Sequence, residues 1–405
     1  MAKIRVGLVV CEFFDDTLKN RSGFGGYGML ARHYIAEHLP NGEIEVETIL
    51  GFNDEAAFHD VVLDGNKKVT LLPALRNSRG NRLARCLNTC RNMPIRRNLR
   101  QYLDSFDVFL GIETMPYTPS LFRHIPKRKL ILYVQDPRPQ SEWDELDTVF
   151  NTDDGSPRPD SSVRDFYGGL IRDGRLVVIS QGVDLIQKAR DLYQLPTDLP
   201  VRMARNPVIV DEKFDLHSQR KENAVVWLGR LDPVKRPWLA LEVAKHMPDV
   251  QFYFLGVAHD KVSPYILYPY QQLPNVHLLG HQSGSMKWDL LKKCKLLINP
   301  SIHEAIPVSF LEAMAYGTLI VSCQNPDSIV ERFGVYTGKI LGDGRDRADL
   351  FVRAIKSILD DEARRQKLVD EAREYVLEHH NLANWVCLMR NVIRESAAVD
   401  SLCAS

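Results

Sequence analysis

The chain has 405 residues, 44% hydrophobic and 26% charged, too many for one ordinary core and enough for two or three globular domains. Basic and acidic residues number 52 each, so no net charge draws the chain to nucleic acid. No apolar run approaches the ~20 residues of a membrane span, the opening Met-Ala-Lys-Ile-Arg-Val starts a strand rather than a signal peptide, and seven cysteines without paired spacing fit reduced thiols in a cytoplasmic protein.

In chain order, residues 4–10 form a near-continuous apolar run, the pattern of a central parallel strand. A long loop then leads to Gly23-Phe-Gly25-Gly26-Tyr-Gly28 and a helical pattern through Leu39. Gly-x-Gly-x-x-Gly is the text of a dinucleotide fingerprint, but that motif needs its first glycine directly after the strand, and about a dozen residues intervene. The better reading is a glycine loop whose backbone approaches a ligand. Further strands are expected at 44–50, 69–72, 107–111, 130–135 and 176–180, with helical patterns between most of them, which implies a parallel sheet covered on both faces.

Residues 65–103 carry ten lysines and arginines and no acid, and 79–91 read as a basic amphipathic helix. This is a solvated face, or a partner of the acidic stretch 141–160, or else it meets an anionic surface, an acidic lipid headgroup or a phosphorylated acceptor. Cys86 and Cys90 sit four apart there, but nothing joins them as a metal site, and they read as small core residues.

Around Arg205-Asn206-Pro207 the alternation restarts, with strands expected at 224–229, 251–256, 276–279, 296–299 and 319–322. The expected fold class is therefore α/β, with two doubly wound parallel-sheet domains: 1–206, 207–381, and a final helix with tail in 382–405. No short-period repeat or low-complexity segment appears.

Two stretches of the second half carry chemistry. In the first, a strand ends in Gly229-Arg230, a tight Asp232-Pro233 turn follows, and Lys235 precedes the next helix. Both cations can converge at the carboxyl end of the sheet, where open α/β folds bind ligands; Arg236 reads as surface. In the second, the apolar run 296–298 stops at Asn299-Pro300, Pro307 opens a helix at its first position, and Gly317 ends it. Glu304 falls in the loop and Glu312 in the helix. Two carboxylates beside an anion-binding helix start suit a ligand with both a diphosphate and sugar hydroxyls.

This second stretch resembles the Glu-x7-Glu signature of retaining GT-B-fold glycosyltransferases, family 4 in particular (Ser-x-x-Glu-Gly-Phe-Pro-x4-Glu-Ala-Met-Ala-x-Gly). Ser301, Glu304, Pro307, Glu312, Ala313, Met314, Ala315 and Gly317 match, while Ala305 and Ile306 replace Gly-Phe. The first stretch matches the family's Gly-Arg-Leu-x-x-x-Lys motif. The resemblance implies two domains facing across a cleft, with a C-terminal helix crossing back to the first. It implies transfer of a sugar from a nucleoside-diphosphate sugar to a hydroxyl of a small-molecule, glycan or lipid-linked acceptor, with retention at the anomeric carbon.

Carried over residue by residue, it makes Arg230 and Lys235 the grip on the donor diphosphate, Glu304 the contact to the hexose and Glu312 the contact to the ribose. Gly25 and Gly26, with Val308 and Ser309 at the helix start, face the donor phosphates. Gln135-Asp136 stands where relatives have His-Asp, so Asp136 is the candidate there, and Ser180 matches a strand-ending serine near the cleft. The resemblance points to front-face displacement assisted by the leaving diphosphate. The sequence contains no Asp-x-Asp, the usual metal-holding motif of other glycosyltransferases, so neither metal nor cofactor is expected. Alternatives are a sugar-nucleotide epimerase of the same fold, a non-catalytic nucleotide-sugar-binding subunit and, last, an NAD oxidoreductase.

Overall fold

Alternating strands and helices sort into two units, Met1–Pro137 with Pro157–Ala204 and Ala383–Ser405, and Arg138–Ser156 with Arg205–Leu382. The computed structural model describes residues 3–13, 25–63, 67–75, 82–114, 117–125, 128–149, 161–211, 213–218, 220–258, 267–282 and 284–398, the side chains of 82–91 excepted. Gly23, Arg76, Arg79 and 150–160 thus lie outside the described residues, as do the side chains of Cys86 and Cys90.

In the first unit the described strands are β1 Ile4–Val9, β2 Ile44–Phe52, β3 His59–Leu63, β4 Lys67–Leu72, β5 Val108–Ile112, β6 Lys129–Val134, β7 Leu176–Ser180 and β8 Val201–Met203, in the order β3-β4-β2-β1-β5-β6-β7-β8. All pairings are parallel except β3 with β4. β5 is buried at every position, as its unbroken apolar run requires of a central strand covered on both faces. On its neighbour β1, Gly7 leaves room for the Phe109 ring, which a Cβ there would meet at 2.7 Å. β1 lies where the strand order reverses, so the loops after β1 and β5 open at the switch point that places ligands in such sheets.

The first unit's helices are α1 Gly26–Met29, which runs through π-helical turns at Leu30–Ile35 into α2 Ala36–His38, then α3 Arg82–Asp104, α4 Thr118–Phe122, α6 Ser161–Arg172 and α7 Val183–Tyr193. Helix α5, Gln140–Val149, leaves this run of sequence and belongs to the second unit. The division at 206 did not anticipate that excursion: the acidic stretch, read as a possible partner of the basic segment, turns Glu142 to His303 and Glu145 to Lys339.

The second unit's sheet has the order β11-β10-β9-β12-β13-β14, all parallel, from β9 Glu222–Leu228, β10 Gln251–Leu255, β11 Val276–Leu278, β12 Cys294–Asn299, β13 Leu319–Ser322 and β14 Gly334–Tyr336. Its switch point lies between β9 and β12, the strands whose carboxyl ends lead to Arg230 and to Glu304. The described helices are α8 Pro237–Lys245, α9 Gly284–Lys293, α10 Val308–Ala315, α11 Ile329–Phe333, α12 Ala348–Leu359 and α13 Glu362–His379. Pro307 caps α10 in extended conformation (φ −68°, ψ 137°), one position earlier than expected. Gly317 stops the chain beyond it at φ +73°, where a side chain would meet Leu216.

The last helix, α14 Leu382–Ala398, belongs to the first unit, as the crossing-back expectation required. Trp385 Nε1 donates to Tyr133 Oη on β6 at 3.0 Å, and that hydroxyl donates to Ala204 O at 2.5 Å. Arg390 donates to the carbonyls of His38, Leu39 and Pro40, satisfying acceptors that α2 leaves open at its C-terminus.

In the second unit, His380 ties the sequence after α13 to the connecting stretch. Its buried ring holds Nδ1 2.7 Å from Asn206 O, and its carbonyl accepts from Val208 N at 3.0 Å. Burial, with Arg205 and His379 nearby, pulls the imidazole from 6.5 down to about 4 against the opposing pull of the Asn206 carbonyl. The folded state therefore holds a neutral ring where the unfolded chain takes up a proton between pH 6.5 and 4. The stability this contributes is complete above 6.5 and is lost as pH falls through that window, on the order of 3 kcal/mol in all. Unfolding titrations of wild type and His380→Gln across pH 4–8 should show their stability difference shrinking by that order on acidification; parallel curves would refute the assignment.

Candidate active site

The candidate residues of the second unit sit on the two loops at the switch point. After β9 the chain turns at Gly229, and Asp232 caps a short 3-10 turn, Pro233–Lys235, by accepting from the Lys235 N–H at 3.2 Å. After β12 it passes Asn299-Pro300 into the Glu304 loop. The loops are stitched by Ile302 N donating to Val234 O at 2.8 Å. This brings Lys235 Nζ to 2.7 Å from Glu304 Oε1. Asn299 Nδ2 and Ser301 Oγ donate to the same oxygen at 2.9 and 2.6 Å. Burial would raise the Glu304 carboxyl, but Lys235, Ser301 and Asn299 outweigh it and hold the group below the usual glutamate value. The loop thus presents a carboxylate that stays ionised while largely shielded from water.

Glu312, buried on α10, pairs with Lys287 Nζ of α9 at 2.6 Å. At the start of α10, neither the Val308 nor the Ser309 N–H meets an acceptor among the described residues. That end therefore keeps the donors and partial positive charge that suit an anion. Arg230 is half exposed, its Nε 3.0 Å from Asp232 Oδ2. Ala305 and Ile306, which replace the family's Gly-Phe, are both buried, and Ile306 packs in the core beside Phe310.

Arg236 corrects the sequence reading. Expected at the surface, it is fully buried, in left-handed conformation at φ 41°. Its guanidinium donates to Pro300 O (2.6 Å), Ile340 O and Gly342 O (2.9 Å each), Ser301 O (3.3 Å) and Cys323 Sγ (3.2 Å). Five donors in a fixed plane meet backbone from two stretches, 300–301 and 340–342, and the Cys323 sulfur, which the sequence does not bring together.

The remaining candidates lie in the first unit. Gly25 precedes α1 with its Cα beside Glu12, whose Oε1 would be 2.7 Å from an added Cβ and accepts from Gly28 N at 2.9 Å. At Gly26 a Cβ would meet nothing within 4 Å, so no close contact there demands glycine. Asp136 follows β6, and its N–H donates to Glu113 Oε2 at 2.8 Å, as does that of Gln135 at 2.9 Å. Glu113, absent from the sequence reading, is buried at the end of β5 with φ 56°, and its Oε1 also accepts from the Tyr193 hydroxyl. A left-handed, non-glycine residue at a strand end is a frequent mark of functional sites, but sequence carries no sign of it. Ser180 turns inward and bonds Gly182 O at 2.8 Å, the work of a turn rather than of a ligand contact. Lys287 and Asn299 were also missed; nothing in spacing pairs Lys287 with Glu312.

Residues 209–375 match the family Glycosyl transferases group 1. That stretch contains Arg230, Lys235, Glu304 and Glu312, and the match supports glycosyl transfer as the activity. No curated protein matches the chain. Among solved structures, sucrose-phosphate synthase from Thermosynechococcus elongatus is similar over 98% of this chain and 100% of its own, with TM-score 0.68 and 14% identity. An α,α-trehalose-phosphate synthase (UDP-forming) from Burkholderia xenovorans, in complex with glucose-6-phosphate, covers 96% of this chain and 100% of its own (TM-score 0.63, 11% identity). Anabaena HepE, in complex with UDP and glucose, covers 96% and 99% (TM-score 0.59, 13% identity). At such identities the likeness shows the fold, and the fold is GT-B.

Arg236 provides the test of how the second unit holds its two loops. Arg236→Lys keeps the charge but cannot span the same carbonyls, so it should cost about 2–4 kcal/mol in urea unfolding. A loss within about 0.5 kcal/mol, the range of ordinary surface changes, would return Arg236 to the role first read for it.

Proposed function

We propose that the protein transfers a sugar from a nucleoside-diphosphate sugar to an acceptor hydroxyl, with retention of anomeric configuration and without a metal, in the manner of family 4. The observation that carries this is Glu304 paired with Lys235 at the switch point of the domain that matches the glycosyl transferases. Lys235, Arg230 and the N–H groups of Val308 and Ser309 supply positive charge for a leaving diphosphate. Glu304 then accepts from a hexose hydroxyl through the oxygen its three donors leave over, and Glu312 from a ribose. Asp136, Gly25 and Gly26 are the donor-binding candidates of the first domain. UDP and sugars bound in the neighbours' structures support a nucleotide-sugar donor and a sugar-type acceptor.

The test is sugar transfer from UDP-, GDP-, ADP- and dTDP-sugars in EDTA, with the anomer read by NMR. Retained transfer in chelator is expected, and Lys235→Ala should lower kcat about 10²-fold, as for loss of one charge-stabilising donor. Activity restored only by Mg²⁺ or Mn²⁺ would overturn the metal-free reading. Conversion of the donor with no acceptor present would favour the epimerase.

No helix among the described residues is long and apolar enough to cross a membrane. We propose a peripheral contact with anionic lipid through part of the basic segment. Lys67 and Lys68 are committed to Glu37, Glu47 and Asp60 within the first domain. Arg96, Arg97 and Arg100 of α3 stand exposed, as does Arg123. Burial, then Arg96, Arg123 and Arg100, pull His124 below its usual value, the sign of a cationic cluster. Co-sedimentation with phosphatidylserine vesicles should be strong at low salt, weak at high salt, and absent for phosphatidylcholine. Binding indifferent to lipid charge would leave the segment a solvated face.

A further inference from the structure

Helix α5 raises a question the reaction does not answer, because it leaves the sequence of one unit to become part of the other. Both residues that flank the Lys235–Glu304 pair touch it. Trp143 and Leu146 share a small buried cluster with Val234 and Ile302. Glu142 Oε2 pairs with Nδ1 of His303, the residue directly before Glu304, whose side chain is 2% exposed. Glu145 adds an ion pair to Lys339 Nζ at 2.8 Å, and the Arg138 guanidinium lies 4.5 Å from the Trp143 ring centroid. The contacts differ in kind, so each fixes a different freedom. The cluster sets the depth of α5 on the loops, and the Glu142–His303 pair sets the rotation of the loop about Glu304.

We infer that α5 positions the Lys235–Glu304 pair, with Glu142 as the positioning residue that acts through His303. The inference rests on the proposed role of that pair in sugar transfer. Glu142 need not touch the sugar nucleotide; it fixes the backbone that carries Glu304, so its loss affects the geometry of transfer more than the affinity for donor. A displacement well under the length of a side chain is enough to slow a reaction that depends on alignment.

Four variants decide it: Glu142→Ala, Glu142→Gln, His303→Ala and the double alanine. Glu142→Ala should lower kcat at least about 10-fold while KM for the nucleotide sugar stays within about 2-fold. Glu142→Gln, which keeps an acceptor of the same reach, should recover most of the rate. His303→Ala should match Glu142→Ala, and the double variant should be no slower than either single, because both remove one link. Losses that multiply, an unchanged kcat, or a rise in KM alone would overturn the inference. Hydrogen exchange of the free protein separates this outcome from failure of the functional reading. Amides of 299–307 should exchange about 10-fold faster in Glu142→Ala, with the β12 core unchanged. If wild type transfers no sugar, the functional reading fails and exchange still decides; unaltered exchange at 299–307 refutes the role of α5.

Discussion

The candidate site depends on one buried cation whose guanidinium is met mainly by backbone carbonyls. A guanidinium taken out of water loses far more hydration than a few weak contacts restore, so Arg236 is tolerable only where its donors are met at once. They are met by carbonyls of Pro300, Ser301, Ile340 and Gly342. Those carbonyls must lie where the planar fork can reach them, which fixes the turn after β12 against the sequence between β14 and α12. Lys235, one residue earlier, inherits that placement, and so does Glu304, whose loop begins at the same carbonyls. The ion pair at the switch point is the consequence of the hydrogen-bonded cation next to it in sequence.

Much of this was legible in the sequence, and the legible part has a common physical basis. Strands β1, β5, β6, β7, β9, β10, β12 and β13 are buried over most of their length and write themselves as apolar runs. β3, β8 and β14, five, three and three residues long, lie at sheet edges and carry no such run. They are made by the partner they find. The Glu304–Glu312 stretch was readable because a strand end, a proline and a glycine fix its geometry locally. Arg236 was not, since two adjacent cations at a turn look solvated until carbonyls about 65 and 105 residues away are known. Helix α5 was not read within the acidic stretch 141–160, and no local pattern says which sheet its Trp143 and Leu146 will meet.

The two sheets use their switch points differently. In the second unit, Glu304 is held ionised by a lysine and two neutral donors. In the first, Glu113 gathers two backbone amides and a tyrosine hydroxyl, while burial raises its carboxyl. Such a group serves as an anchor for the turn that carries Asp136, and its left-handed backbone is the strain that the anchoring offsets.

The docking of α14 has a consequence for how the protein is made. Trp385 and Arg390 complete the first unit, yet they follow the whole of the second unit in the chain. On a ribosome adding roughly 5–20 residues per second, about 10–35 s separate the emergence of Ala204 from that of Ala383. Throughout that interval the nascent first unit holds Tyr133 without its indole partner and the end of α2 without its arginine. The part of the protein synthesised first is the last to be finished.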